Sequence, residues 1–170
     1  MAVQNHVHII KMGGTIEFSD PAYDAFNKKL MKLDATIESY FRNLIKPHFN
    51  FSIESVTEKD SREITEEDRK KMLKAIAGTP HQNILVTHGT FTMKLTAQYI
   101  KKHLPAKNKK IILTGSMMPL VGFAVSDAGF KLGFAIASFP SIKPGVYLSM
   151  NGGIFPFSEV GKNVELSRFE

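Results

Sequence analysis

Four short apolar runs set the strongest limit on how this chain folds: Val7-His8-Ile9-Ile10, Ile84-Leu85-Val86, Ile111-Ile112-Leu113 and Val146-Tyr147-Leu148-Ser149-Met150. Each is the length of one strand, and the segments between them carry the longer period of amphipathic helices. Nearly continuous apolar strands suit a parallel sheet buried on both faces, with helices as the crossovers. The expected fold is α/β, a three-layer Rossmann-like or flavodoxin-like, mostly parallel sheet with helices on both faces.

The intervening segments support this in detail. Ile37, Tyr40, Phe41, Leu44 and Ile45 repeat at helical spacing, which predicts a helix near Ala35–Ile45, and Phe49–Val56 alternates as a strand does. Thr65-Glu66-Glu67-Asp68 reads as a capped helix start with acids in its positive first turn. Met72, Leu73, Ile76 and Ala77 supply that helix's buried stripe, and Gly78 with Pro80 ends it. A helix from about Thr92 to His103 is expected to turn Leu95, Tyr99 and Ile100 inward, and Asp127–Phe139 is a further apolar helix. Beyond Met150 the pattern reads as irregular. At 170 residues the chain fits one domain, residues 1–170, without an internal repeat or linker.

Composition excludes several classes of function. No apolar run is long enough to span a membrane, and Met1–His6 lacks the charged and apolar regions of a secretory signal. The absence of cysteine removes disulfides, thiolate metal sites and thiol nucleophiles, and a cytoplasmic location is expected. The net charge of +6 comes from dispersed lysines such as Lys28, Lys70, Lys101 and Lys110. These read as solvated helix faces and helix C-termini, so no nucleic-acid partner is expected.

The chemistry gathers where strands end. Ligands of open α/β sheets collect at the carboxyl ends of the strands, and three such ends carry glycine and hydroxyl residues: Met12-Gly13-Gly14-Thr15, Thr87-His88-Gly89-Thr90 and Thr114-Gly115-Ser116. Gly13-Gly14-Thr15 alone suits a plain turn as well as a binding loop, and its spacing matches neither dinucleotide nor P-loop patterns. Thr87–Thr92 leaves a strand and opens a helix, so its amides suit a carboxylate or an oxyanion; helix capping by Thr90 or Thr92 is compatible with that role. His88 reads as a hydrogen-bonded structural histidine, and His6 with His8 lacks a third metal ligand. Asp60 and Ser61 fit either a charged loop or contacts to a ligand's ammonium and carboxylate, while Tyr23 is either a loop aromatic or a proton-handling phenol.

In combination, these residues resemble the N-terminal domain of bacterial L-asparaginases. The similarity rests on Gly13–Ile16, Asp60-Ser61, Thr87–Met93, Thr114–Pro119, Ser126-Asp127 and Lys162, in that order over nearly the whole chain. It implies an amidohydrolase that acts on a small amide, L-asparagine or a related compound, with no cofactor and no metal. Thr15 would be the nucleophile assisted by Tyr23, and Thr90 with Lys162 the second catalytic group. Asp60, Ser61, Gly89 and Ser116 would contact the substrate. The family places an aspartate after the second threonine, where it pairs with the lysine and binds the substrate ammonium; here that position is Phe91. Either Lys162 acts as a base of lowered pKa, or the site no longer takes a free amino acid. The family's C-terminal domain is absent from these 170 residues, and a homodimer is the expected way to cover the site.

Overall fold

A computed structural model describes residues 6–17, 36–104, 108–120 and 125–170. Six strands form one sheet: β1 (His6–Lys11), β2 (Asn50–Ser55), β3 (Asn83–Thr87), β4 (Lys110–Thr114), β5 (Gly145–Met150) and β6 (Gly153–Pro156). Their order is β2-β1-β3-β4-β5-β6, with β2 to β5 parallel and β6 antiparallel at the edge. This is the doubly wound α/β arrangement expected from the apolar runs, and it places a topological switch point between β1 and β3.

Successive side chains of a strand point to opposite faces, so each apolar run feeds two cores. Ile10, Ile84, Val86, Ile111 and Leu113 pack with Met72 and Ile76 of α2 (Glu66–Gly78) and with Met93, Ala97 and Ile100 of α3 (Met93–His103). Val7, Ile9, Leu85 and Ile112 pack with Ile37 and Phe41 of the α1 region (Ile37–Ser39, continued by a π turn over Tyr40–Ile45) and with Ala128, Leu132 and Ala135 of α4 (Ala128–Ser138). Ile84, Leu85 and Val86 are fully buried, each contributing about 1.5–3 kcal/mol by leaving water.

Several local expectations need correction. Leu95 is exposed, because α3 faces the sheet with Met93, Thr96, Ala97 and Ile100, and Ala77 yields its buried place on α2 to Ala75. In the first helix Lys46 N–H reaches back to Phe41 O at 2.8 Å, widening the last turn; that rotates Leu44 and Ile45 off the buried stripe and leaves both exposed. Asp68 closes a full capping box with Thr65, as the start of α2 suggested. Of the lysines, Lys109 and Lys110 use their ammonium groups on helix ends: Lys109 donates to Thr79 O and His81 O just after α2, and Lys110 to Phe139 O just after α4. Lys70, Lys71 and Lys74 sit inside α2 rather than in its last turn.

The stretch after Met150 is ordered. Asn151 (φ 53°) and Gly152 (φ 76°) make the two-residue turn that joins β5 to β6, a conformation those two residue types favour. A second, two-stranded ribbon follows, β7 (Lys162–Asn163) with β8 (Arg168–Phe169). Val160 and Phe169 anchor it in the core, and Phe169 N–H donates to Asn151 Oδ1 at 3.1 Å. The ribbon thereby fixes the position of Lys162.

Candidate active site

The strand-end loops interlock at backbone level. Gly14 N–H donates to Lys59 O at 3.1 Å, and a Cβ on Gly13 would lie 2.3 Å from that same oxygen. A Cβ on Gly14 would lie 2.5 Å from Gly89 N, and one on Gly115 would lie 2.2 Å from His88 O. Glycine is therefore required where the loops after β1, β2, β3 and β4 meet. Thr15 follows Gly14 and Thr90 follows Gly89, so both threonines sit one residue from the same contact at the β1/β3 switch point.

Thr15 opens a 3-10 turn (Thr15–Glu17) and is half-buried. Its hydroxyl has no hydrogen-bond partner among the described residues. Glu17 holds that turn in place by pairing with Lys11 at 2.8 Å and accepting the Ile37 N–H at 2.7 Å. Thr90 is buried, and Lys162 Nζ donates to its Oγ1 at 2.9 Å. The same ammonium stands 3.8 Å from the centroid of the Phe91 ring, and the Arg62 guanidinium lies 4.9 Å from it. Burial first, and then the charges of Lys131 and Arg62, hold Lys162 below the usual lysine range. An aromatic face contributes about 0.5–2 kcal/mol to a cation held over it.

Ser61 is almost wholly buried against Gly89, and among the described residues neither its hydroxyl nor the buried Ser116 hydroxyl has a hydrogen-bond partner. Thr92 does not cap α3 with its side chain, since its hydroxyl donates to Ser61 O at 2.6 Å and ties the two loops together. Asp60 Oδ1 accepts from Arg62 N at 2.9 Å and from Arg62 Nε at 2.8 Å. Tyr23, together with Ser19, Asp20, Pro21 and Lys28, lies outside the described residues.

The family model for the N-terminal domain of asparaginases matches residues 6–167. The chain belongs to that family. The crystal structure of a probable cytoplasmic L-asparaginase from Campylobacter jejuni matches with a TM-score of 0.73 at 24% identity, over 97% of this chain and 52% of that one. This chain therefore spans about half the length of that relative. A search of curated proteins finds no match.

Two residues of this asparaginase-type domain were not singled out as a pair by the sequence. Asp127, just before α4, accepts the backbone N–H groups of Met117 (3.2 and 3.1 Å) and Met118 (2.8 Å) and pairs with Lys131 one turn on. Its carboxylate thus secures the loop carrying Ser116 and gives Lys162 no counter-ion. The i, i+4 spacing of Asp127 and Lys131 was the available signal, but an exposed pair shows the same spacing; Lys131 is only 3% exposed.

His88 is structural. Its Nδ1 faces Gly89 O at 2.8 Å and so carries the proton, leaving Nε2 to accept the Thr96 hydroxyl at 2.8 Å; Thr96 Oγ1 in turn accepts Arg69 Nε at 3.2 Å. Burial pushes the imidazole pKa down to about 4. His6 and His8 share the Ser52 hydroxyl, at 2.9 and 2.8 Å, and His81 stacks on His6 at 3.5 Å. They border a cavity lined by His8, Ser52, Glu54, Lys71, Lys74 and His81, apart from the threonine loops. No group of three or more histidine or acidic side chains among the described residues is arranged to hold a metal ion. No helix among them is long and apolar enough to cross a membrane.

The buried histidine predicts acid sensitivity. The unfolded imidazole takes a proton near pH 6.5 and the folded one only near pH 4, so stability is complete above about pH 6.5 and falls as pH drops towards 4. The loss attributable to His88 is on the order of 2–3 kcal/mol across that window. Urea unfolding at stepped pH should show it, and His88→Gln should flatten the slope; an unchanged slope in that variant would assign the acid effect elsewhere.

Proposed function

We propose that this domain is an asparaginase-like amidohydrolase that hydrolyses a small amide and releases ammonia through an ester on Thr15. The observation that carries the reading is the 2.9 Å contact of Lys162 Nζ with Thr90 Oγ1, on the loop whose Gly89 abuts Gly14. A threonine hydroxyl is a weak nucleophile and needs a nearby base or cation. In this reading Thr15 Oγ attacks the amide carbon, the C–N bond breaks, and the leaving nitrogen departs as ammonia with the hydroxyl proton. Water then attacks the ester while neutral Lys162, poised by its lowered pKa, takes a proton from that water through Thr90; the acyl C–Oγ bond to Thr15 breaks, the proton returns to Thr15 Oγ, and the acid product leaves. Backbone amides at Gly89 and Thr90, near the start of α3, are suited to the oxyanion. Ser61 and the Ser116 backbone serve as substrate contacts. No cofactor enters any step. Tyr23 is assigned as the aid to Thr15 deprotonation, and the cytoplasm as the location.

A second reading keeps the fold as a domain that binds a small carboxylate or amide without turnover. It is favoured by the Thr15 hydroxyl, which meets no base among the described residues. Hydroxylamine separates the two: an ester intermediate partitions to a hydroxamate while ammonia is released. Binding without hydroxamate or ammonia would retire the acyl-enzyme and leave the second reading. A homodimer covering the open side beside Phe91 belongs to the first reading, and sedimentation showing only monomer at assay concentration would remove it.

A further inference from the structure

The charges around the threonine loops define the ligand more narrowly than the reaction does. Three cations bear on the site, Arg62, Lys131 and Lys162, the last feeling the charge of the other two. On the adjoining described loops, Asp60 pairs with Arg62 through Oδ1, and Asp127 pairs with Lys131 and accepts two backbone amides. Glu58, Glu63 and Glu159 are exposed and form no ion pair with these cations among the described residues, although the Glu63 charge acts on Arg62 through space. Lys162 is thus left with a hydroxyl and an aromatic face instead of a carboxylate.

From this we infer that the site takes small primary amides that carry a carboxylate but no ammonium group. A second positive charge brought beside Lys162 would be repelled, since no carboxylate among the described residues pairs with that ammonium. A carboxylate would instead meet the Lys162 ammonium, with the Arg62 guanidinium across the same ring and the buried Ser61 hydroxyl, unpartnered among the described residues, on the adjoining loop. Phe91, 55% exposed, offers its ring to the ligand's carbon chain at the mouth. The chemistry is unchanged: the amide C–N bond breaks, water supplies the hydroxyl of the acid product, and ammonia leaves. The inference rests on the threonine chemistry for turnover but not for binding.

Succinamate and L-asparagine differ only in the α-ammonium group, as do their products succinate and L-aspartate. Calorimetric titration of the wild-type protein should find succinate at least tenfold tighter than L-aspartate, and ammonia release should favour succinamate over asparagine by the same factor in kcat/KM. Phe91→Asp, which adds a carboxylate beside Lys162, should narrow or reverse the ratio, and Arg62→Gln should weaken succinate without weakening aspartate. Aspartate binding as tightly as succinate, or neither binding at millimolar concentration, overturns the inference. Selective succinate binding without ammonia from succinamate upholds the inference and fails the hydrolase reading instead. Faster release from asparagine does the reverse.

Discussion

Thr15→Ala should lower kcat/KM for ammonia release by on the order of 10³-fold or more while leaving the fold intact. The substitution removes one half-buried hydroxyl that holds no hydrogen bond among the described residues, so stability should change by less than about 1 kcal/mol. Thr15→Ser keeps the attacking oxygen and should retain most of the activity. Lys162→Met keeps the stem over Phe91 but deletes the base, and should cost about 10²–10⁴-fold. The wild-type rate should rise with pH as Lys162 loses its proton, at a pH below that of an ordinary lysine, because burial and then Lys131 and Arg62 disfavour the charged form. Arg62→Gln should move that limb to higher pH by removing one repelling charge. Ammonia release from Thr15→Ala at the wild-type rate, in protein of unchanged unfolding midpoint, would sink the nucleophile assignment.

The fold was legible because each apolar run is long enough for one strand and too short for a helix, and Thr65 with Asp68 announced a helix start that the structure closes as a capping box. Which core each residue of a run joins, Ile84 and Val86 on one side and Leu85 on the other, follows from the alternation of faces once the run is a strand. The tail was misread even though Asn151-Gly152 is a strong hairpin signal, because the strand after it is only four residues long and lacks a period. Leu95 was misassigned because α3 carries polar Thr96 on its buried face, there to serve His88. Gly13–Thr15, Thr87–Thr90 and Thr114–Ser116 pointed to a common edge, yet their backbone contacts were invisible in sequence. Phe91 showed what the site had lost. Its role as the surface on which Lys162 and Arg62 rest depends on the β7–β8 ribbon, anchored by Val160 and Phe169 far along the chain.

Gly14→Ala should be strongly disruptive, destabilising the domain by on the order of 4 kcal/mol. Two effects combine. The φ of +87° is one that L side chains rarely adopt, costing about 1–3 kcal/mol. The added methyl would also stand 2.5 Å from Gly89 N and 2.6 Å from Gly89 Cα, and these are backbone atoms that cannot swing aside as a side-chain tip can. Relief requires the loops after β1 and β3 to separate, which costs about 1–3 kcal/mol more and moves Thr15 away from Thr90. Protein that still folds should therefore lose turnover too. Gly133→Ala is the matched control: it sits on the exposed side of α4 with nothing within 4 Å of the new methyl, and should stabilise by about 0.5–1 kcal/mol through helix propensity. Urea midpoints measure both changes. A Gly14→Ala protein as stable as wild type would mean that the two threonine loops are not locked together at this contact, and the shared site built on it would lose its support.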